Sequence, residues 1–251
     1  MNDLALVVDL HREGSRQGPG GDDETRLAIT FSGLRGRKAL RVADIGCGTG
    51  ASTLVLAREL DATVTAVDLL PEFLRRLESA AIEAKLTARI ETLAASMDEL
   101  PFADHGFDAI WSEGAIYNMG FERGVRAWRR FLKPGGILAV SELSWLTHER
   151  PAELDEYWRN AYPEVATASS KLATLEANGY APIAYFSMPE HCWLEHYYRP
   201  LQSRFAAFLA RHDHSVSARS LVAAEEREIA LSERNRHYVS YGYYVARKTI
   251  E

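Results

Sequence analysis

The sequence predicts an α/β fold: a doubly wound, mostly parallel sheet of seven strands with an antiparallel last strand and a helical lid insertion. Three observations predict it. Residues 42–50, VADIGCGTG, join an apolar run and an acid to three closely spaced glycines, and the next segment, ASTLVLAREL, has helical spacing. From residue 40 to 143, short apolar runs alternate with amphipathic segments, the pattern of strands connected by right-handed helical crossovers. The last segment, HYVSYGYYVARK at 237–248, reads as a strand that closes the sheet after a long helical stretch.

The elements follow in chain order. Residues 1–38 stand outside the alternation and form a flap: RQGPGG is a Gly/Pro turn, and acids at 22–24 open a helix of about ten residues. LRVADI (40–45) is the first strand and 50–60 its helix. ATVTAV (62–67) is a strand, and Pro71 starts a helix over 71–84. Strands at 88–93 and 107–112, a helix at 121–132, the KPGG turn and a strand at 137–143 complete the core, 40–145. Residues 151–162 and 168–178 are helical, 180–188 is a strand, and 194–236 is mostly helical. Residues 146–236 thus supply a lid, within one domain spanning 1–251.

Composition limits the partners. The chain has 251 residues, 47% hydrophobic and 25% charged, with a net charge of −6. A chain of that length buries a large core, and the acidic balance argues against nucleic acid and anionic membrane as partners. No apolar run approaches the roughly 20 residues of a membrane helix, and MNDLALVVDLHREGSR does not read as a signal peptide. The expected location is the cytoplasm. Cys47 and Cys192 make neither a disulfide framework nor a metal-ligand spacing. Monomer and homodimer both stay open.

The glycine turn needs backbone at positive φ and no side chain where a ligand lies against the main chain. Asp68 ends the second strand 22 residues after Gly46, where a carboxylate can accept both hydroxyls of a ribose. A dinucleotide fold is one reading, but its fingerprint is G-x-G-x-x-G, and this chain has G-C-G-T-G with Asp44 two residues earlier. A carboxylate there repels a pyrophosphate and suits a ligand carrying an ammonium and a sulfonium, which favours S-adenosylmethionine (SAM) over a nicotinamide dinucleotide.

Four segments in register, VADIGCGTG (42–50), AVDLLPEFL (66–74), SMDELPFADHGFDAIW (96–111) and FLKPGGILAVSE (131–142), resemble the class I SAM-dependent methyltransferases. The similarity is greatest to the small-molecule, type 11-like bacterial group with a WSEGAIYN-like segment. It implies a Rossmann-like fold, SAM as cofactor and a small-molecule methyl acceptor. By position it also implies that Asp44, Gly46, Cys47, Gly48, Thr49 and Gly50 form the loop under the methionine part, that Asp68 binds the ribose diol and that Leu69 lies against adenine. Many relatives place an acid where this chain has Ser96 and Met97, so a hydroxyl or a backbone amide replaces that carboxylate. Glu113 falls between the amino-acid end of the cofactor and the acceptor pocket. Gln17 and Gly18 of the flap cover the cofactor.

Methyl transfer from a sulfonium needs alignment and a dry pocket, and a base only where the acceptor carries its proton at attack. Glu113, Tyr117 and His196 are the catalytic candidates. Tyr117, Glu142, Trp145, Trp193, Glu195 and Tyr197 are the candidates for holding the acceptor. On a regular helix Trp193, His196 and Tyr197 share one face. The plainer alternatives are an amphipathic helix packing its aromatics, a Ser96 that only caps its turn, a Cys47 that only fills space and an Asp68 that caps the following helix. His191 and His196 with Glu195 lack a partner cluster, and no metal is expected. Carboxylates at 113, 142 and 195 favour an amine-bearing acceptor.

Overall fold

The computed structural model describes residues 3–250. Two helices, α1 (Asp3–His11) and α2 (Asp22–Ser32), precede the sheet. Helix α2 begins with three acids in its first turn and ends at Gly33, whose φ of 68° is the left-handed cap that glycine adopts without strain. The core then runs β1 (Leu40–Ile45), α3 (Ala51–Glu59), β2 (Ala62–Asp68), α4 (Pro71–Glu83), β3 (Ile90–Ala94), β4 (Phe107–Glu113), α5 (Phe121–Trp128) and β5 (Leu132–Trp145). The remainder comprises α6 (Ala152–Ala161), the two-residue β6 (Ala166–Thr167), α7 (Ala168–Ala177), β7 (Tyr180–Ser187), α8 (Glu190–Trp193), a π-helical turn at Leu194–Tyr198, α9 (Arg199–Arg211), α10 (Val216–Asn235) and β8 (Val239–Lys248).

The strands lie in the order β3-β2-β1-β4-β5-β8-β7, with β6 beside β5. The first five pair in parallel. Strand β8 runs antiparallel between β5 and β7. The predicted fold class holds, and the order in which strands are added reverses between β1 and β4, where ligands of open α/β sheets bind.

Period-two burial sorts the strand side chains. Val42, Ala109, Trp111, Ala139, Tyr243 and Val245 face one cluster, which continues into α2, α3 and the lid helices. Their neighbours Ala43, Ile110, Leu138, Val140, Tyr244 and Ala246 face another, covered by α5 and α7. With both faces covered, these strands read as nearly continuous apolar runs.

Four features depart from the sequence reading. Helix α1 was not anticipated. Nine residues are too short to hold a helix alone, and burial of Leu6 and Leu10 docks it, at about 1.5–3 kcal/mol for each side chain. The helix expected over 121–132 stops at Trp128 and tightens into a 3₁₀ turn at Arg129–Phe131. Strand β5 begins at Leu132, five residues early, because Leu132 already pairs with Phe107 and KPGG follows as an irregularity in the strand with Gly135 at φ 71°. The helical stretch expected over 194–236 starts earlier, at Glu190, and is broken into α8, α9 and α10 with the π turn between the first two.

Candidate functional site

A cleft of about 630 Å³ opens where β1 and β4 diverge. Its floor is the glycine turn. Gly46, Gly48 and Gly50 have φ of 73°, 55° and 90°, as the turn requires. A Cβ on Gly46 would collide with Ala115, and one on Gly48 with the Gln17 side chain. Gly46, Cys47 and Gly48 line the cleft, whereas Gly50 caps α3 from below and packs on Leu77. Burial pushes the Cys47 thiol well up, with the Asp44 and Asp68 charges adding to it, so Cys47 stays protonated and fills space.

Asp68 stands at the edge of the cleft. Its Oδ2 accepts the Gly48 amide at 2.9 Å and its Oδ1 the Leu70 amide at 2.9 Å. The two bonds fix the carboxylate, and each oxygen keeps lone-pair capacity for a second donor. Burial raises its pKa, partly offset by those amides. Leu69 beside it is exposed and forms part of the lining, with Ala95, Ser96, Met97 and Asp98. The Ser96 hydroxyl accepts the Asp98 amide at 3.2 Å. It caps its turn and still lines the cleft.

The N-terminal segment does fold over this floor. The Gln17 side chain accepts the Thr49 amide at 2.9 Å and donates to Thr49 Oγ1 at 3.1 Å. Thr49 is therefore occupied by the flap and does not reach the cleft, while Gln17, Gly18 and Pro19 line it. Arg16 is the residue that sequence reasoning missed here. Its Nη1 donates to Glu113 Oε2 at 3.1 Å and its Nη2 to Asp22 Oδ1 at 3.1 Å, and it also lines the cleft. The RQGPGG turn already pointed to the segment, but an arginine before glutamine carries no distinguishing pattern.

Glu113 needs correction as a proton acceptor. Its Oε1 accepts Thr25 Oγ1 at 2.7 Å, Tyr243 Oη at 2.9 Å and Trp111 Nε1 at 3.1 Å, and its Oε2 faces Arg16. A carboxylate holding four donors ties the flap to β4 rather than taking a proton.

Asp44 also sits elsewhere than its charge argument required. It is fully buried and does not line the cleft; its Oδ2 accepts Ser52 Oγ at 2.8 Å and Thr53 Oγ1 at 2.6 Å. Burial raises its pKa to about 7. Its Oδ1 has no hydrogen-bond partner among the described residues.

The acceptor candidates divide sharply. Tyr117 and Tyr197 line the cleft. Glu142, Trp145, Trp193, Glu195 and His196 do not. Glu142 is buried under β5, where burial raises its pKa to about 7 against the opposing charge of Lys171. Trp145 is covered by the Arg150 guanidinium, 4.1 Å above its ring. Trp193 is a core residue whose Nε1 donates to Ser240 Oγ at 3.0 Å. Glu195 is exposed and pairs with Arg199. His196 turns outward, its Nδ1 2.8 Å from the Gly20 carbonyl. The shared face expected for Trp193, His196 and Tyr197 fails because the π turn changes the register between them.

In their place the cleft presents His11 and Glu225. His11 Nε2 lies 3.6 Å from Glu225 Oε1, its ring stacks on Tyr197 with centroids 6.3 Å apart, and its Nδ1 has no hydrogen-bond partner among the described residues. Leu4, Val7 and Val8 of α1 make the same part of the lining apolar. A histidine closing a nine-residue apolar segment and a glutamate in a charged helix gave no sequence signal of their meeting.

These residues fit an adenosyl sulfonium compound: a fixed carboxylate at the cleft edge, a turn stripped of Cβ atoms, an apolar plate at Leu69 and a guanidinium on the flap. The comparisons agree with that fit. A family described as "Methyltransferase domain" matches residues 43–140. The 27-O-demethylrifamycin SV methyltransferase of Amycolatopsis mediterranei is 31% identical over 133 residues, 52% of this chain and 48% of that protein. The ubiquinone/menaquinone biosynthesis C-methyltransferase UbiE of Pseudomonas putida is 28% identical over 162 residues, covering 63% of this chain and 61% of that one. The chain thus spans less than two thirds of the length of both curated relatives. Among solved structures, a SAM-dependent methyltransferase from Geobacter sulfurreducens, in complex with S-adenosyl-L-homocysteine, superposes with a TM-score of 0.82 at 16% identity, over 97% of this chain and 96% of that chain, which is a likeness of fold. No helix among the described residues is long and apolar enough to cross a membrane.

Proposed function

We propose, from the premise that residues 43–140 are a class I methyltransferase domain, that this protein transfers a methyl group from SAM to a small, largely apolar molecule bearing an O–H or N–H nucleophile. Asp68 binds the ribose diol, the Gly46–Gly48 turn bears the methionine part, Leu69 and Met97 flank the adenine, and Arg16 meets the carboxylate end. When bound, SAM supplies an electrophilic methyl carbon on a positively charged sulfur. The chain contributes alignment and exclusion of water.

The observation that carries the reading is that Asp68 and the His11–Glu225 pair line one cleft. A methyl acceptor that keeps its proton until attack needs a base beside it. We assign that role to His11, whose Nδ1 is buried at the cleft wall and has no hydrogen-bond partner among the described residues, with Glu225 beside Nε2 to orient the ring. Tyr117 and Tyr197 give the acceptor aromatic walls. The acidic character first expected of this pocket rests here on Glu225 and Asp98 rather than on positions 142 and 195, and amine-bearing molecules remain within the proposed class. The direct test is turnover of SAM against phenols, alcohols and amines, with product S-adenosylhomocysteine measured. Methylation of any of these with loss on His11→Gln supports the proposal; binding of SAM without turnover on all three classes contradicts it.

A further inference from the structure

Outside the cleft, where the flap meets the lid, three metal-binding side chains converge. One ring nitrogen each of His191 and His196 and the Sγ of Cys192 lie within 4.8 Å of one another. His191 and Cys192 lie on α8 and His196 in the π turn that follows it; the two histidine rings stand 5.1 Å apart, edge to face.

Each histidine also has an acceptor at one ring nitrogen. His191 Nε2 is 3.3 Å from Glu24 Oε1, and His196 Nδ1 is 2.8 Å from the Gly20 carbonyl. A carbonyl only accepts, so His196 carries its proton on Nδ1 and keeps a lone pair on Nε2. Carboxylate–histidine–metal and carbonyl–histidine–metal chains of this kind orient ligating imidazoles. The second, independent observation is Glu24 itself. It is more than nine-tenths buried, and beyond His191 on Oε1 its carboxylate meets, among the described residues, only the weak thiol donor of Cys192. A buried carboxylate so thinly compensated is costly unless a cation balances it. Glu195, the acid that the sequence set beside these histidines, points away and pairs with Arg199.

We infer that His191, Cys192 and His196 bind a zinc ion, with Glu24 as the neighbouring carboxylate, and that the ion staples the flap to the lid. Two imidazoles and one thiolate are the donor set that favours zinc over magnesium or calcium. The fourth position belongs to water, with Glu24 outside the ligand set. Binding expels the Cys192 proton to solvent and leaves the ion, thiolate and carboxylate near charge balance. The site stands independently of the methyl-transfer proposal.

The test uses the full chain, stripped of metal and titrated with cobalt(II) as the spectroscopic probe. The expected result is one equivalent bound in tetrahedral geometry, with a thiolate-to-cobalt charge-transfer band that zinc displaces. Cys192→Ser removes that band. Because Cys192 is buried and its replacement can disturb folding, His191→Gln at an exposed position and His196→Gln at a half-buried one provide the second arm, each weakening affinity at least tenfold. Glu24→Gln weakens it roughly 10–100-fold, as for other groups that orient metal ligands. Absence of stoichiometric binding, a bound ion without the charge-transfer band, or unchanged affinity in the double histidine variant overturns the inference.

Discussion

Arg16 and Glu113 are 97 residues apart in sequence and 3.1 Å apart in space, and both are largely buried. This pair fastens the N-terminal flap to the end of β4 and closes one side of the cleft. Its strength lies in context: three further donors surround Glu113, so neither charge is left uncompensated. Breaking such a pair from one side strands the other charge, at about 3–5 kcal/mol.

Arg16→Ala is therefore expected to weaken SAM binding by at least tenfold and to lower thermal stability, with Arg16→Lys intermediate. Glu113→Gln should do the same through KM for SAM. Calorimetry and steady-state kinetics check both. If Glu113→Gln instead abolished kcat at saturating SAM with unchanged affinity, Glu113 would be a base and the anchoring account would fail.

Removing the carboxylate proposed to bind the diol has a narrower effect. Hydrogen bonds to a charged group contribute about 1.5–3 kcal/mol, so Asp68→Ala is expected to raise the Kd for SAM roughly 10–150-fold. Asp68 also accepts the Gly48 and Leu70 amides, so the turn loosens and S-adenosylhomocysteine binding falls in parallel. An Asp68→Ala protein binding either compound as tightly as the parent is the contrary outcome.

His11→Gln is expected to lower kcat about 10²–10⁴-fold, the range for a lost general base, while leaving SAM affinity within a few-fold. Glu225→Gln, which removes the ring's charged neighbour and not the ring, should fall between. A full-rate His11→Gln enzyme would remove the base from the mechanism.

Burial raises both Asp44 and Glu142 to about 7 from ordinary values of 3.8 and 4.5. Each folded-state carboxyl thus keeps a proton that the unfolded chain releases, so the two favour folding most below about pH 4. Their contribution falls as pH rises to about 7 and is then exhausted. Each group changes the slope by at most about 1.4 kcal/mol per pH unit. Urea unfolding of the parent and of Asp44→Asn/Glu142→Gln between pH 5 and 7.5 should show the gap between them widening in the variant's favour as pH rises. A constant difference would place both carboxyls at ordinary values in the folded state.

The fold was readable because local signals agreed. The glycines after β1, Pro71 at the start of α4 and the period-two strands each encode backbone geometry within a few residues. Asp68 and the flap were legible for the same reason. The acceptor side was not. Glu142 and Trp193 look functional in sequence because acids and tryptophan are conspicuous, yet both are buried outside the cleft, Glu142 opposite Lys171 and Trp193 on Ser240. His11 and Glu225 meet only through the docking of α1 on α10, a contact across more than two hundred residues. The π turn, which swings His196 away from Trp193 and Tyr197, has no period that sequence could display.

The central claim is that the turn at Gly46–Gly48 and the carboxylate of Asp68 hold the adenosyl sulfonium cofactor. Isothermal titration of the purified chain with SAM tests it most directly. One-to-one binding, retained for S-adenosylhomocysteine and sharply weakened by Asp68→Ala, is the result expected. No heat of binding at millimolar SAM, with saturable uptake of a nicotinamide dinucleotide by the same protein, would contradict it.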